Sequence, residues 1–309
     1  MPHQRLQSER FPRSGNGRRP PGELNESHFL FLCLCGVAFI LFRGPLGALA
    51  NLAFHDDRYT YVLAVPFVSI ALLWLERREI FTDARSCPWL GIPFVLVGLT
   101  LCTITCTSRL DGNYALSVRV PAIVVVCLAS FVWSYGVQAA RAALFPLAFL
   151  FLMVPIPSVL LNPVVTGLQR ASAETAFRLF KLTGVPVSRI GAFQFALPGV
   201  TIEVAQECSG IRSSVSLFMS SIVAGYLFLQ SNRSRAIFSV LTIPIVIFKN
   251  ALRIVTISSL GVYVDPGFLH GRLHRYGGLP FSVLALLLLV PVFAALTRTE
   301  RHHEVNHAG

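Results

Sequence analysis

Cys208 stands in the stretch VAQECSGIRSSVSLFMSSIVAGYLFL, residues 204–229, where a short polar segment gives way to residues apolar enough for a bilayer. Glu207 precedes it and Ser209-Gly210 follow. A thiolate, not a thiol, attacks a carbonyl carbon, and a free cysteine ionises near pH ~8.5. A helix starting at Cys208 turns the positive end of its dipole toward the sulfur and favours the ionised form. Ser209 and Gly210 allow a substrate backbone to come close, and their amides are candidate donors to an oxyanion. The chemistry these residue types suit is acyl transfer. It asks for two further groups, a base for the thiol proton and a cation for the developing negative charge.

Both are found later in the chain. The apolar run 236–262 contains Lys249, Asn250 and Arg253, and a charge inside such a run is expensive enough to count as a functional-site hypothesis. Asn250 and Arg253 are three apart and share a helix face. With the span ending near Gly261, Arg253 lies about eight residues below the surface, roughly 12 Å, too deep for a simple interfacial anchor. It suits an oxyanion or a substrate carboxylate. The structural alternative pairs it with backbone carbonyls, Asp111 or Glu203. Lys249 is deeper, and the sequence suggests no role for it. In FLHGRLHRYGGLPF, His274 is the candidate proton carrier, with Gly277-Gly278 opening the backbone beside it; His270, one helical turn earlier, ranks second.

These residues need a frame, and the composition indicates which. Of 309 residues, 54% are hydrophobic and 13% charged, about half the charge that soluble domains carry. The expected fold class is an all-α polytopic membrane protein, one bundle of about eight transmembrane helices at 28–50, 59–76, 88–106, 115–135, 142–160, 209–230, 236–262 and 279–297. The net charge of +11 sits in short clusters between these runs, around Arg18-Arg19, Arg77-Arg78, Arg233 and Arg298. That is the pattern of cytoplasmic topology signals and argues against a nucleic-acid partner. Residues 1–27 read as a disordered basic cytoplasmic leader and 299–309 as a cytoplasmic tail, which puts both termini inside and Cys208, Arg253 and His274 on the extracytoplasmic face. The stretch 160–182 reads as a helix lying in the interface, since a ninth span would put the Arg233 cluster outside. Phe193, Phe195 and Leu197 alternate, Pro198-Gly199 turns, and Val200, Ile202 and Val204 alternate again, so a short extracytoplasmic β-hairpin is expected before the Cys208 helix. The seven cysteines show no metal or disulfide spacing, and no cofactor or metal is expected.

On residues alone, two other classes stay open: a non-enzymatic multipass transporter, and an assembly subunit for polysaccharide export in which the thiol is incidental. The chain shows no internal repeat and no paired broken helices, which transporters often show.

From about Leu182 to Phe281 the chain resembles the exosortase/archaeosortase membrane cysteine transpeptidases. The resemblance rests on TGVPV, LPGVTIEVAQECSGIRSS, NALRI and HRYGG, and extends over most of the chain, implying an exosortase-like membrane domain over 28–298. It implies a catalytic triad of Cys208, Arg253 and His274, with Asn250, Ser209, Gly210 and Glu207 in support. It further implies a cysteine peptidase or transpeptidase of the inner membrane that cleaves exported proteins bearing a C-terminal motif, a transmembrane helix and a basic tail. The new carboxyl end would pass through a thioester to an acceptor nucleophile, and the family is associated with exopolysaccharide and biofilm loci. One departure stands out. Members commonly carry Asp after the catalytic His, and here the residue is Arg275. If that Asp orients the imidazole, Asp265 or Glu207 would have to serve instead.

Overall fold

The computed structural model describes residues 21–82, 84–107, 112–204, 211–270 and 278–308. The leader expected over 1–27 lies largely outside them. Among the described residues, seven helices are long and apolar enough to cross a membrane, and eight if one broken pair counts as a single span. With a small three-stranded sheet, this is the polytopic helical membrane protein the composition indicates. The chain divides into two compact units, one ending at Leu160 and one starting at Leu161.

The first unit contains helices α1 (Pro21–Leu41), α2 (Arg43–His55), α3 (Ala64–Leu75), α4 (Pro88–Thr107), α5 (Gly112–Ala142) and α6 (Leu144–Phe149), with a 3₁₀ turn Asp57–Leu63 leading into α3. The single span expected at 28–50 is instead two helices that change at Phe42, just before Gly44-Pro45. Pro45 has no N–H to continue the hydrogen-bond ladder. α5 is bent at Gly136, whose φ of +83° only glycine adopts cheaply. The main-chain oxygen of Arg85 approaches so closely there that a Cβ would lie 2.0 Å from it. The neighbouring N–H groups of Arg85 and Cys87 donate to Tyr135 and Trp133 oxygens at 2.9 and 3.0 Å, replacing helical partners lost at the bend.

The expected span 142–160 is not one straight helix. α6 passes into a 3₁₀ turn, Leu150–Met153, and helix resumes only at Ser158. Pro155 and Pro157 cause the break, because neither can donate and each disfavours helix in the residue before it. The carbonyls this leaves are taken up by side chains: Ser117 donates to Pro155 O at 2.7 Å, Tyr59 to Ile156 O at 2.9 Å and Ser69 to Pro146 O at 2.7 Å. Ser69 and Tyr59 are buried, so the hydroxyls serve where water cannot.

The second unit holds α7 (Ser158–Leu182) from Leu161 onward, strands β1 (Ser188–Arg189), β2 (Gln194–Leu197) and β3 (Val200–Glu203), and helices α8 (Ile211–Phe228), α9 (Asn232–Tyr263), α10 (Gly267–His270) and α11 (Gly278–Ala308). The strands pair antiparallel in the order β1-β2-β3, with Leu197 opposite Val200 and Gln194 opposite Glu203. Gly199 takes φ +75° in the turn between β2 and β3, as the Pro-Gly pair requires. The alternating positions behave as a half-buried sheet should: Phe195, Leu197 and Val204 are buried, Thr201 and Glu203 exposed. β1 is an addition to the expected hairpin, too short to show any alternation.

Candidate active site

The hairpin is held from two sides by apolar packing. Phe195 and Val204 pack with Ala173 and Phe177 of α7, and Phe195 stacks on Phe177 with ring centroids 5.9 Å apart. Leu197 joins Ala176 and Phe180 of α7 and Ala251 and Val255 of α9 in a second cluster. A polar bond then fixes the end of the hairpin. Gln169, buried in α7, donates to Val204 O at 2.5 Å, while the Val204 N–H donates to Phe193 O at 2.8 Å. Both main-chain groups of Val204 are therefore used, four residues ahead of Cys208.

α8 and α9 form an antiparallel helical hairpin joined by Leu229–Ser231. Near that turn the two helices run so close that a Cβ on Gly225 would lie 3.7 Å from Arg235 Cα. Arg235 donates to Leu229 O at 2.9 Å and Tyr226 O at 3.3 Å, satisfying carbonyls exposed at the end of α8. Ser231 caps α9 by accepting from Arg233 N–H, which starts the helix four residues before the expected 236. The Glu300 carboxylate of α11 accepts from Gln230 N–H at 3.1 Å and Ser231 N–H at 2.8 Å. With that bond, α11 runs through Ala308, beyond the apolar stretch that ends near 297.

At the other end of the hairpin, Lys249 Nζ of α9 lies 2.5 Å from Ser213 Oγ in the first turn of α8. Lys249 is 2% exposed and Asn250 1%. Arg253, one helical turn beyond Lys249 on the same face, is half-buried. It lies ten residues before the end of α9 at Tyr263, about 15 Å at 1.5 Å per residue. Of the predicted site residues, Asn250 and Arg253 are thus on one long helix facing inward. Cys208, Glu207, Ser209, Gly210, His274 and Arg275 lie outside the described residues, as does Asp111; His270 closes α10. Asp265 accepts from Gly267 N–H at 2.7 Å and so starts α10. Glu203, the other carboxylate considered, accepts from Gln194 across the strands at 3.3 Å.

Two groups escaped the sequence reading. Gln169 looks like one more polar residue on a surface helix, and nothing in its spacing marks it as the anchor of Val204. Ser213 is one of a run of serines in α8, and its pairing with Lys249 depends on how two helices pack. Between α7 and the β1–β2 loop lies an open cavity of about 580 Å³ lined by Gly167, Arg170, Ala171, Glu174, Arg189 and Ala192. Arg189 donates to Glu174 at 2.8 Å and Arg178 at 3.2 Å. These bonds, Arg189's first, hold the Glu174 carboxyl below its ordinary range.

No match is found among curated proteins or among solved structures. The model of the transmembrane exosortase family matches residues 51–291, most of the chain, Asn250 and Arg253 included. This multi-pass membrane protein therefore belongs to the transmembrane exosortase family, and that membership supports a membrane transpeptidase-type role.

Proposed function

We propose that the protein is a membrane-embedded cysteine transpeptidase, or protease, that cleaves C-terminal sorting signals from exported proteins. Cys208 is the nucleophile, His274 the proton carrier and Arg253 the cation for the oxyanion, with Asn250 beside it and Ser209, Gly210 and Glu207 in support. The thiolate attacks the scissile carbonyl and the C–N bond breaks. The amine leaves with a proton from the imidazolium, and a thioester remains on Cys208. An acceptor nucleophile, or water, then attacks the thioester and releases the thiolate. The substrate is an exported protein with a short motif, a transmembrane helix and a basic tail. The site faces outward from the inner membrane with both termini in the cytoplasm, in a cell exporting exopolysaccharide.

The observation that carries this reading is the register of the α8–α9 hairpin. Arg253 lies four residues beyond Lys249 toward the C-terminal end of α9. Cys208 lies five residues ahead of Ser213. In an antiparallel pair these two directions are the same, so the chain that leads back to Cys208 leaves α8 at the end of the hairpin toward which Arg253 lies, which supports the reading. Cys208 is also only three residues from Ile211, no more than about 11 Å of chain. A reaction that needs a nucleophile and an oxyanion cation on one side of a peptide bond is supported by this register.

The test is replacement of Cys208 by Ala, following a co-expressed substrate with a C-terminal helix and basic tail. Processing should stop while the protein stays at normal abundance in the membrane. Processing that continues at the wild-type rate refutes the reading.

A further inference from the structure

The open cavity between α7 and the β1–β2 loop lies wholly within the second unit. Its volume of about 580 Å³ falls in the range of small-molecule sites, and acyl transfer at Cys208 gives it no role. Three of its lining residues are charged: Arg170 and Glu174 on α7 and Arg189 in β1. Two guanidiniums face one carboxylate, so the lining carries a net charge of +1. Further cations border it. Arg178 and Lys181 are exposed and continue the face of Arg170 and Glu174, at spacings of four, four and three.

The one carboxylate is already engaged. Glu174 Oε2 accepts from Arg189 at 2.8 Å and Oε1 from Arg178 at 3.2 Å. Arg189 is braced as well, donating to Gly191 O and Ala192 O at 3.2 Å each. These three bonds use three of its five N–H groups and fix the plane of the guanidinium. Arg170 differs. Its side chain forms no hydrogen bond or ion pair among the described residues, where the ion pairs are Asp56–Arg58 and those of Glu174. It brings all five donors to the cavity. An arginine fork matches the oxygens of a phosphate and grips them through two parallel bonds. One singly charged phosphodiester brings the lining to neutrality.

The apolar residues at the rim select the kind of phosphate. Val164, three residues before Gly167, is 55% exposed, and Ile190, next to Arg189, is 59% exposed. Each of the two segments that line the cavity thus sets an exposed branched aliphatic side chain at its edge. A free phosphate ion leaves both uncovered, whereas an acyl chain covers them. The stretch 160–182 also reads as a helix in the membrane interface, the depth of phospholipid headgroups, where basic pockets recognise anionic lipids.

We propose that this cavity binds the phosphodiester headgroup of an anionic phospholipid, gripped by Arg170 and Arg189, with its acyl chains over Val164 and Ile190. The bound lipid ties the β1–β2 loop to α7. That loop is closed weakly by its own bonds, since the N–H groups of Ile190 and Gly191 share Gln194 O at 3.1 and 3.4 Å. The site is independent of the acyl-transfer reading, and neither falls with the other.

The full-length protein in nanodiscs tests this, in phosphatidylcholine alone and in an equal mixture with phosphatidylglycerol. Hydrogen exchange of segment 188–194 is followed by mass spectrometry. Phosphatidylglycerol should slow exchange at Ile190 and Gly191 about tenfold, the factor that one charge-assisted bond supports. Arg170→Gln should exchange at the phosphatidylcholine rate in both discs, and Arg170→Lys should keep part of the protection. Val164→Ser retains every charge and should also lose part of it. Exchange in α9 at the wild-type rate verifies that each variant is folded. Equal exchange of the wild-type loop in the two discs overturns the proposal, and so does an Arg170→Gln loop protected as well as the wild type. Full protection in Val164→Ser refutes the acyl contact. Glycerol 3-phosphate or a short acidic peptide is added separately to phosphatidylcholine discs. Protection there equal to that by phosphatidylglycerol makes the ligand a free anion or a peptide and refutes the lipid.

Discussion

Replacing Gln169 by Leu tests whether the hairpin is anchored as described. Gln169 is 4% exposed and Val204 2%, and a single bond of 2.5 Å joins the amide of one to the carbonyl of the other. Leu has nearly the same volume, so the change leaves no large cavity and isolates the polar loss. The Val204 carbonyl is then buried without a donor, at a cost of about 1–3 kcal/mol. At about 2–4 °C per kcal/mol for a chain of this size, the purified protein in detergent should melt several degrees lower. Ser172, one turn further along α7, is the internal control. It is 1% exposed and its hydroxyl has no hydrogen-bond partner among the described residues. Ser172→Ala removes a buried polar atom that gains nothing from burial, so melting should stay level or rise slightly. Melting of the Leu variant at the wild-type temperature, or a larger drop for Ser172→Ala, would refute the assignment of Gln169 as the anchor.

Gly136→Ala should lose about 3 kcal/mol or more, because both the backbone conformation and the 2.0 Å approach of Arg85 O exclude a side chain. Abundance in the membrane measures it, with Gly167→Ala as the contrast, since no atom lies within 4 Å of a Cβ there and a helical alanine gains about 0.5–1 kcal/mol. The Glu174 contribution has a definite sign with pH. Its carboxyl is held low by Arg189 first, so the stabilisation is present above the unfolded value of about 4.3 and is lost as pH falls through the folded one. Proteolysis between α7 and β2 should therefore rise only in acid, and Glu174→Gln should abolish that pH dependence.

Most of the frame was legible in the sequence because a bilayer demands long apolar runs, and such runs advertise themselves. The hairpin was legible too, since Phe195 and Leu197 alternate with polar positions around Pro198-Gly199. What the sequence concealed has a common cause. The bend at Gly136 and the break at Val154–Pro157 depend on partners distant in the chain, Arg85 in one case, Tyr59 and Ser117 in the other. A proline in an apolar run signals a helix interruption without saying whether the freed carbonyls find donors. β1 is two residues long and is defined only by pairing Ser188 with Ala196 and Arg189 with Phe195. Arg253 and Asn250 stood out as charge and amide in an apolar run. Ser213 did not, because a serine in a membrane helix costs little and draws no notice until its partner is a lysine.

The buried polar bonds of the second unit lie where position matters. Lipid tails are as apolar as leucine, so apolar contact gives membrane helices little reason to prefer one register over another. Polar bonds discriminate, because a shift of one residue leaves a buried donor and acceptor unpaired. Two such bonds bracket the Cys208 segment. Gln169 holds Val204 on one side, and Lys249 holds Ser213 on the other. Whatever path residues 205–212 take between those anchors, their ends are pinned to α7 and α9, and α9 carries Arg253. A third set, Arg235 and Glu300 on the Leu229–Ser231 turn, fixes the hairpin at its far end, so sliding of α8 along α9 is opposed at both ends. Acyl transfer loses roughly a hundredfold for a displacement of about 1 Å between reacting groups. A chain that places its costliest buried groups on either side of one cysteine is bearing that cost for geometry, which is why the anchors, as much as the triad, should govern turnover.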